Sequence, residues 1–267
     1  MTSVSRFLIE QLVTAYQHGR RLGLFFDYDG TLTPFAARPE LARLDPASRG
    51  ALARLAAAPR VFAGVISGRA LEDLKAMVGL PGLDYGGSWG LELESRGRRL
   101  GPEPPAHFSR LLAELAAATE ARLPAYPGAW VEKKAWGLTL HYRQANPGQL
   151  ESLRAEFLTL LAPRAAAVRF YQAPLAIEVR PATDSDKGTA LRALVARAGV
   201  PLPCVLYAGD AANDAAALAA ATALGGFALG IGPEPPVEAV YRLPDTSALS
   251  AFLSALADTL TAVRSIV

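Results

Sequence analysis

Cysteine is almost missing from this chain of 267 residues. Cys204 stands alone, so no disulfide can close within the chain and no zinc–thiolate cage can be built from it. An excess of one charge is also missing: 27 basic residues face 25 acidic ones, and the basic ones are scattered, which argues against a nucleic-acid-binding surface. There is no Gly-x-x-x-x-Gly-Lys-Ser/Thr loop, and hence no sign of a P-loop nucleotide hydrolase. Residues 1–21 lack the basic-then-apolar order of a signal peptide and instead carry an amphipathic pattern of Leu8, Leu12, Val13 and Tyr16. The longest apolar tract, Ala215 to Gly232, is divided at Gly225-Gly226 into two parts too short to cross a bilayer. These absences set the expectation of a soluble, cytoplasmic protein with neither a nucleic acid nor a membrane as partner; a monomer is the expected state, though none of these absences bears on it.

What is present is apolar matter, 51% of the residues, enough to bury the core of one large domain or two small ones. The most informative stretch follows the apolar run Leu22-Gly23-Leu24-Phe25-Phe26, which reads as a buried strand. It ends in Asp27-Tyr28-Asp29-Gly30-Thr31-Leu32, two carboxylates at a strand's carboxyl end, where open α/β sheets bind ligands. Burying unpaired charge costs several kcal/mol, a penalty that a bound cation would remove. Three further segments repeat the theme. Val61–Ile66 reads as a strand ending in Ser67-Gly68-Arg69, whose hydroxyl and free N–H groups suit a phosphoryl oxygen. Asp186-Lys187-Gly188 opens an amphipathic helix with a lysine in its first turn, a position the helix dipole mildly disfavours. Cys204–Ala208 reads as a third buried strand, ending in Gly209-Asp210-Ala211-Ala212-Asn213-Asp214, where Asn213 or Asp214 would equally serve as a helix N-cap.

The elements alternate. Strand 22–27, helix 46–58, strand 61–66 and a helix near 70–78 precede a strand and turn over 84–94. Helix 187–199, strand 204–209, helix 213–222 and strand 226–231 resume the pattern, which implies a parallel sheet covered on both faces. Between them, roughly 104–180, helices and short strands segregate, as in a small α+β domain: a helix from His107 to Arg122, two strands, a helix from Pro147 to Leu161, and strands at 166–171 and 175–180. The expected organisation is a core domain of 1–103 and 181–267 interrupted by a domain of 104–180. In that insert, strand alternation places Glu132 and Lys134 on one face, and His141 and Arg143 on one face opposite Leu138, Leu140 and Tyr142. Such a polar face suits a hydroxyl-rich ligand, or is a solvated sheet face with ordinary cross-strand ion pairs.

Asp27-x-Asp29-Gly30-Thr31-Leu32, followed in order by Ser67, Lys187 and the Gly209–Asp214 segment, resembles the motif set of the haloacid dehalogenase superfamily. Glu132-x-Lys134 with His141-x-Arg143, and Leu175–Pro181 shortly before Asp186-Lys187-Gly188, resemble more narrowly the trehalose-6-phosphate phosphatases, as do Asp27–Pro34 and Ser67–Arg69. The likeness runs from about Leu22 to the C-terminus. It implies a Rossmann-like α/β core with a parallel sheet and an inserted α+β cap of the C2 type, whose closure excludes water. It further implies a Mg²⁺-dependent phosphatase of trehalose biosynthesis. Asp27 would attack phosphorus to give an aspartyl phosphate, and Asp29 would protonate the leaving sugar oxygen and then activate water. Ser67 and Lys187 would hold the phosphoryl group with Gly68 and Arg69 beside it, and Thr31 would orient the loop. Mg²⁺ would be held by Asp27, the backbone carbonyl of Asp29, Asp210 and Asp214, the last directly or through water. Glu132, Lys134, His141, Arg143 and Glu178 would contact the hydroxyls of a phosphorylated disaccharide. Other phosphorylated sugars or glycosides (sucrose 6-phosphate, glucosyl- or mannosyl-3-phosphoglycerate) and a non-catalytic sugar-phosphate-binding regulatory role stand as alternatives.

The chain departs from the family at two places. The usual last motif, Gly-Asp-Asp-x-Thr-Asp-Glu, keeps Gly209, Asp210 and Asp214 but has Ala211, Asn213 and Ala215. Trp89 stands where histidine is common. A bulky aromatic there is expected to pack rather than to bind.

Overall fold

Leu22–Phe26 forms β1, buried at every position, which is why the run is apolar without alternation. It lies between β2 (Val61–Ile66) and a late strand, β10 (Cys204–Gly209), both parallel to it. The computed structural model describes residues 1–36, 38–173, 175–198 and 204–264. Two compact units are present: Met1–Gly101 with Ser185–Val267, and Pro102–Asp184.

In the first unit the sheet continues beyond β2 to β3 (Asp84–Gly87), β4 (Glu92–Ser95) and β5 (Arg98–Leu100). Beyond β10 it continues to β11 (Phe227–Ile231) and β12 (Tyr241–Leu243). Strands β12 to β3 are parallel, and β4 and β5 turn back antiparallel. The chain winds outward from β1 in one direction and from β10 in the other, so the boundary between these two strands is the topological switch point, where such sheets bind ligands.

Helices cover the sheet. α1 (Ser3–Gln17), α2 (Pro46–Ala57) and α3 (Leu71–Val78) contribute to one apolar core. α6 (Lys187–Arg197) and α7 (Ala215–Ala223) contribute to a second cluster around Phe25 and Tyr207. The sequence reading assigns no element after residue 231, yet β12 and a long helix α8 (Thr246–Arg264) follow. Among the described residues, α8 is the one helix long and apolar enough to cross a membrane. Leu249, Phe252, Leu253, Leu256 and Leu260 are nevertheless buried in the first core. Gly199, the expected end of α6, lies outside the described residues.

The second unit is a four-stranded antiparallel sheet, order β6-β7-β9-β8, from β6 (Trp130–Lys134), β7 (Gly137–His141), β8 (Val168–Ala173) and β9 (Ala176–Pro181). Helices α4 (Ala106–Glu120) and α5 (Leu150–Leu161) bring Phe108, Leu112, Leu115, Leu153, Phe157 and Leu161 into its interior.

Candidate active site

Three parallel neighbours end together, and each ends in a polar residue: Asp27 after β1, Ser67 after β2, Asp210 after β10. The β1–β10 register seats Asp27 beside Gly209, with the Asp27 N–H donating to the Ala208 carbonyl at 2.9 Å. The chain then reverses at once. Gly30 has a φ of +86°, and a Cβ there would lie 2.3 Å from Asp210 Oδ2, so this turn admits only glycine. The tight turn holds Thr31 close enough to donate its hydroxyl to Asp210 Oδ1 at 2.9 Å.

Lys187 enters from the start of α6, where Asp186 caps the helix in a reciprocal pair with Thr189. Its ammonium is fully buried and donates to Asp27 Oδ1 at 2.6 Å, Asp214 Oδ1 at 2.7 Å and Asn213 Oδ1 at 3.3 Å. That placement explains a cation in the first turn of a helix: carboxylates outweigh the dipole. Burial works against the lysine's charge, but Asp214 and Asp27 raise its pKa above the ordinary value.

Asp214 is more than an N-cap. Its Oδ1 accepts from Lys187 and from the Tyr207 hydroxyl at 2.7 Å, and its Oδ2 accepts the backbone N–H groups of Asp210 and Ala211 at 3.2 and 3.1 Å. Four donors use the carboxylate's lone-pair sites. Asp27, Asp210 and Asp214 nonetheless place one oxygen each within 4.8 Å of one another. Three carboxylates against one ammonium leave excess negative charge in a buried place. Burial above all, with the neighbouring Asp214 and Asp210 carboxylates, pushes the Asp27 pKa well above its ordinary value despite Lys187. Burial and Asp214 raise Asp210 as well. A hard, oxygen-seeking divalent cation fits this donor set.

The Asp29 carboxylate lies outside that cluster. Arg69 grips it with two nitrogens, Nε to Oδ2 at 2.7 Å and Nη2 to Oδ1 at 2.6 Å. The Arg69 N–H donates to the buried Ser67 hydroxyl oxygen at 3.3 Å. Gly68 is covered by an indole: a Cβ on it would meet Trp89 Nε1 at 2.6 Å. Trp89 itself is 3% exposed, so the tryptophan at the histidine position packs.

In the second unit, Glu132, Lys134 and His141 come together on one sheet face. Glu132 Oε2 accepts from His141 Nε2 at 2.9 Å and lies 3.5 Å from Lys134 Nζ. Burial would raise the Glu132 pKa, but His141 and Lys134 outweigh it and hold the carboxylate below its ordinary value. Glu178 pairs instead with Arg180 at 3.0 Å. Thr139 stands between the two carboxylates in the register, a partner of both Glu132 and Glu178. The expected strand through Arg143 is cut short. β7 ends at His141, the Tyr142 N–H turns to the Leu175 carbonyl, and the Ala145 N–H closes a turn on Tyr142. Arg143 is therefore exposed in that turn rather than beside His141 on the sheet.

Comparison with known proteins places this geometry. The trehalose-phosphatase profile matches residues 25–230. The chain belongs to the trehalose-phosphatase family. A trehalose-phosphate phosphatase of Mycobacterium avium (strain 104) is 36% identical over 200 residues, 73% of this chain and 50% of that protein. One from Mycobacterium tuberculosis (strain ATCC 25618 / H37Rv) is 38% identical over 173 residues, 64% of this chain and 43% of that protein. This chain thus spans about half the length of the curated relatives it matches. Among solved structures, the C-terminal domain of the Candida albicans trehalose-6-phosphate phosphatase has the same fold, with a TM-score of 0.76 at 22% identity over 94% of this chain and 97% of that one. The Aspergillus fumigatus trehalose-6-phosphate phosphatase is 25% identical with a TM-score of 0.62 over 94% and 97%.

The altered last motif of this trehalose-phosphatase family member leaves the contacts of Asp214 and Lys187 in place. The residues at the two lost carboxylate positions, Ala211 and Ala215, bring no side-chain group to the cluster; Ala211 contributes its N–H to Asp214. Asn213, where the family has threonine, gives Lys187 a third acceptor. Sequence reading missed the Arg69–Asp29 pair and Tyr207. The pair joins residues 40 apart with no periodic signal, and Tyr207 reads as one more apolar strand residue.

Proposed function

We propose that this chain is a Mg²⁺-dependent phosphatase that hydrolyses trehalose 6-phosphate to trehalose and phosphate. The observation that carries this reading is the buried Asp27–Lys187–Asp214 cluster with Asp210 at the switch point of the sheet, in a chain of the trehalose-phosphatase family. A phosphate monoester dianion repels a carboxylate, and a bound Mg²⁺ would supply the charge neutralisation that attack requires. Asp27 and Asp210 would hold the ion, together with the Asp29 backbone carbonyl. Asp214, whose lone pairs are taken by four donors, holds the loop and Lys187 in place in this reading.

Asp27 attacks phosphorus, forming the aspartyl phosphate as the bond to the sugar oxygen breaks. Asp29 gives that oxygen its proton and later takes one from the water that hydrolyses the intermediate. Arg69 takes both Asp29 oxygens, so in this reading that pair opens before Asp29 carries and delivers its proton. Ser67, Lys187 and the Gly68 N–H hold the phosphoryl oxygens, and Thr31 orients Asp210. The unit Pro102–Asp184 is the cap, and its Glu132, Lys134, His141, Arg143 and Glu178 bind sugar hydroxyls.

The test is phosphate release from trehalose 6-phosphate beside glucose 6-phosphate, sucrose 6-phosphate and the glucosyl- and mannosyl-3-phosphoglycerates, with Mg²⁺ and with EDTA. The expected result is Mg²⁺-dependent preference for trehalose 6-phosphate. Preference for another member discards the substrate, and silence on all of them discards the reaction.

A further inference from the structure

The polar face of the second unit's sheet carries one feature that the hydrogen-bonding residues do not explain. Trp130 opens the edge strand β6 on the same face as Glu132 and Lys134, and it is 45% exposed. Trp89 and Trp136, by contrast, are 3% and 9% exposed. Trp130 and His141 are register partners, and their rings stack with centroids 4.2 Å apart and planes 14° from parallel. The imidazole thus backs the indole on one side and binds Glu132 at 2.9 Å through Nε2. Lys134, its side chain only 7% exposed, completes the group 3.5 Å from Glu132.

We infer that Trp130 is the aromatic wall of a pyranose subsite, its indole backed by His141 and its free face stacking on the C–H face of a sugar ring whose hydroxyls reach Glu132 and Lys134. The inference rests on the sugar-phosphate reading above and adds to it a residue that confers preference for a glycosyl group. The chemistry of a pyranose is two-sided: a rim of hydroxyls around a face of slightly positive C–H hydrogens. An aromatic π-face is negative and apolar, so it attracts that C–H face, while fixed donors and acceptors at its border take the rim. The indole, imidazole and carboxylate hold one another in place before any ligand arrives, which lowers the ordering cost of binding. A Trp–His pair serving only to stiffen an edge strand would give the same stacking with no consequence for the substrate.

Trehalose titrated into wild-type protein, with tryptophan emission and calorimetry recorded, separates the two. The expected result is a saturable change in emission that is lost in Trp130→Phe, since the two buried indoles stay as a constant background. Trp130→Ala is expected to raise KM for trehalose 6-phosphate about tenfold more than KM for p-nitrophenyl phosphate, and Trp130→Phe to restore most of the difference. Calorimetric binding of trehalose without any change in wild-type emission overturns the stacking alone. So does a Trp130→Ala protein that loses thermal stability but treats the two phosphates alike. Wild-type protein that neither binds trehalose nor hydrolyses its 6-phosphate overturns the sugar reading and this inference together.

Discussion

The two polar centres of this molecule are built in opposite ways. At the end of β1, Asp27, Lys187 and Asp214 are sealed from solvent, and every lone pair of Asp214 is in use. On the second unit's sheet, Glu132 and His141 are half-buried, and Trp130 faces solvent beside them. Burial raises the carboxylate pKa at the first centre, whereas hydrogen bonds and neighbouring positive charge lower it at the second. The first centre therefore stores unfavourable charge that a bound cation would relieve, and the second holds charge that is already satisfied. Reaction chemistry needs the former, because fixed charges in a dry place act strongly on a developing transition state. Recognition of hydroxyls is served by the latter.

The comparison breaks most visibly at Asp27. Asp27→Asn is expected to lower kcat about 10⁴-fold or more, the usual scale for loss of a nucleophile. The same variant is expected to raise the melting temperature in EDTA at pH 7.5. The sign follows from the raised pKa: the stability that goes with a protonated Asp27 is complete below the unfolded value near 4 and is lost as pH rises through the folded value. The gain over wild type is therefore expected to vanish near pH 4, and calorimetric scans at the two pH values check it. A gain that persists unchanged at pH 4 would show that burial of charge is not its cause.

Lys187→Met comes next. It strands Asp27 and Asp214 without their shared cation, and a loss of about 3–5 kcal/mol by urea unfolding is expected. Rescue of most of that loss by Mg²⁺ would sharpen the view that the cluster is short of positive charge. The smallest effect is expected at Glu132→Gln, which should cost about 1 kcal/mol at pH 7 by weakening the bonds to His141 and Lys134. Here the sign reverses: a lowered pKa gives stability that is present above the unfolded value near 4.3 and is lost as pH falls through the folded value. Wild type and variant should therefore converge in acid, as followed by circular dichroism. A Glu132→Gln protein more stable than wild type at pH 7 would erase the contrast between the centres.

Much of the first centre is legible in sequence because physics leaves few reasons for its pattern. β1, β2 and β10 are buried apolar runs that end abruptly in Asp27, Ser67 and Asp210, and strand ends tolerate such residues when something binds there. Lys187 stands out for the same reason, as a charge in the wrong turn of a helix. The pairings are not legible. Nothing in Ser67-Gly68-Arg69 says that the guanidinium turns to Asp29, or that Tyr207 points its hydroxyl at Asp214. The second unit is legible as a face but not at its margins. Alternation foretells the side on which Glu132 and His141 lie, yet it carries no notice that β7 stops at His141 and releases Arg143 into a turn. β12, three residues long, has too little alternation to be seen at all.

The adjacency of β1 and β10 also has a consequence for how the site comes into being. Asp27 and Lys187 are 160 residues apart, and Thr31 and Asp210 are 179 apart. Each contact must await closure of a very long loop, the slow kind of event in folding. During synthesis Asp27 is made before its lysine and its partner carboxylates. The three carboxylates meet only once residue 214 has been made and β10 has docked, so a chain interrupted between residues 32 and 186 carries the first motif in full and none of its later partners Lys187, Asp210 and Asp214.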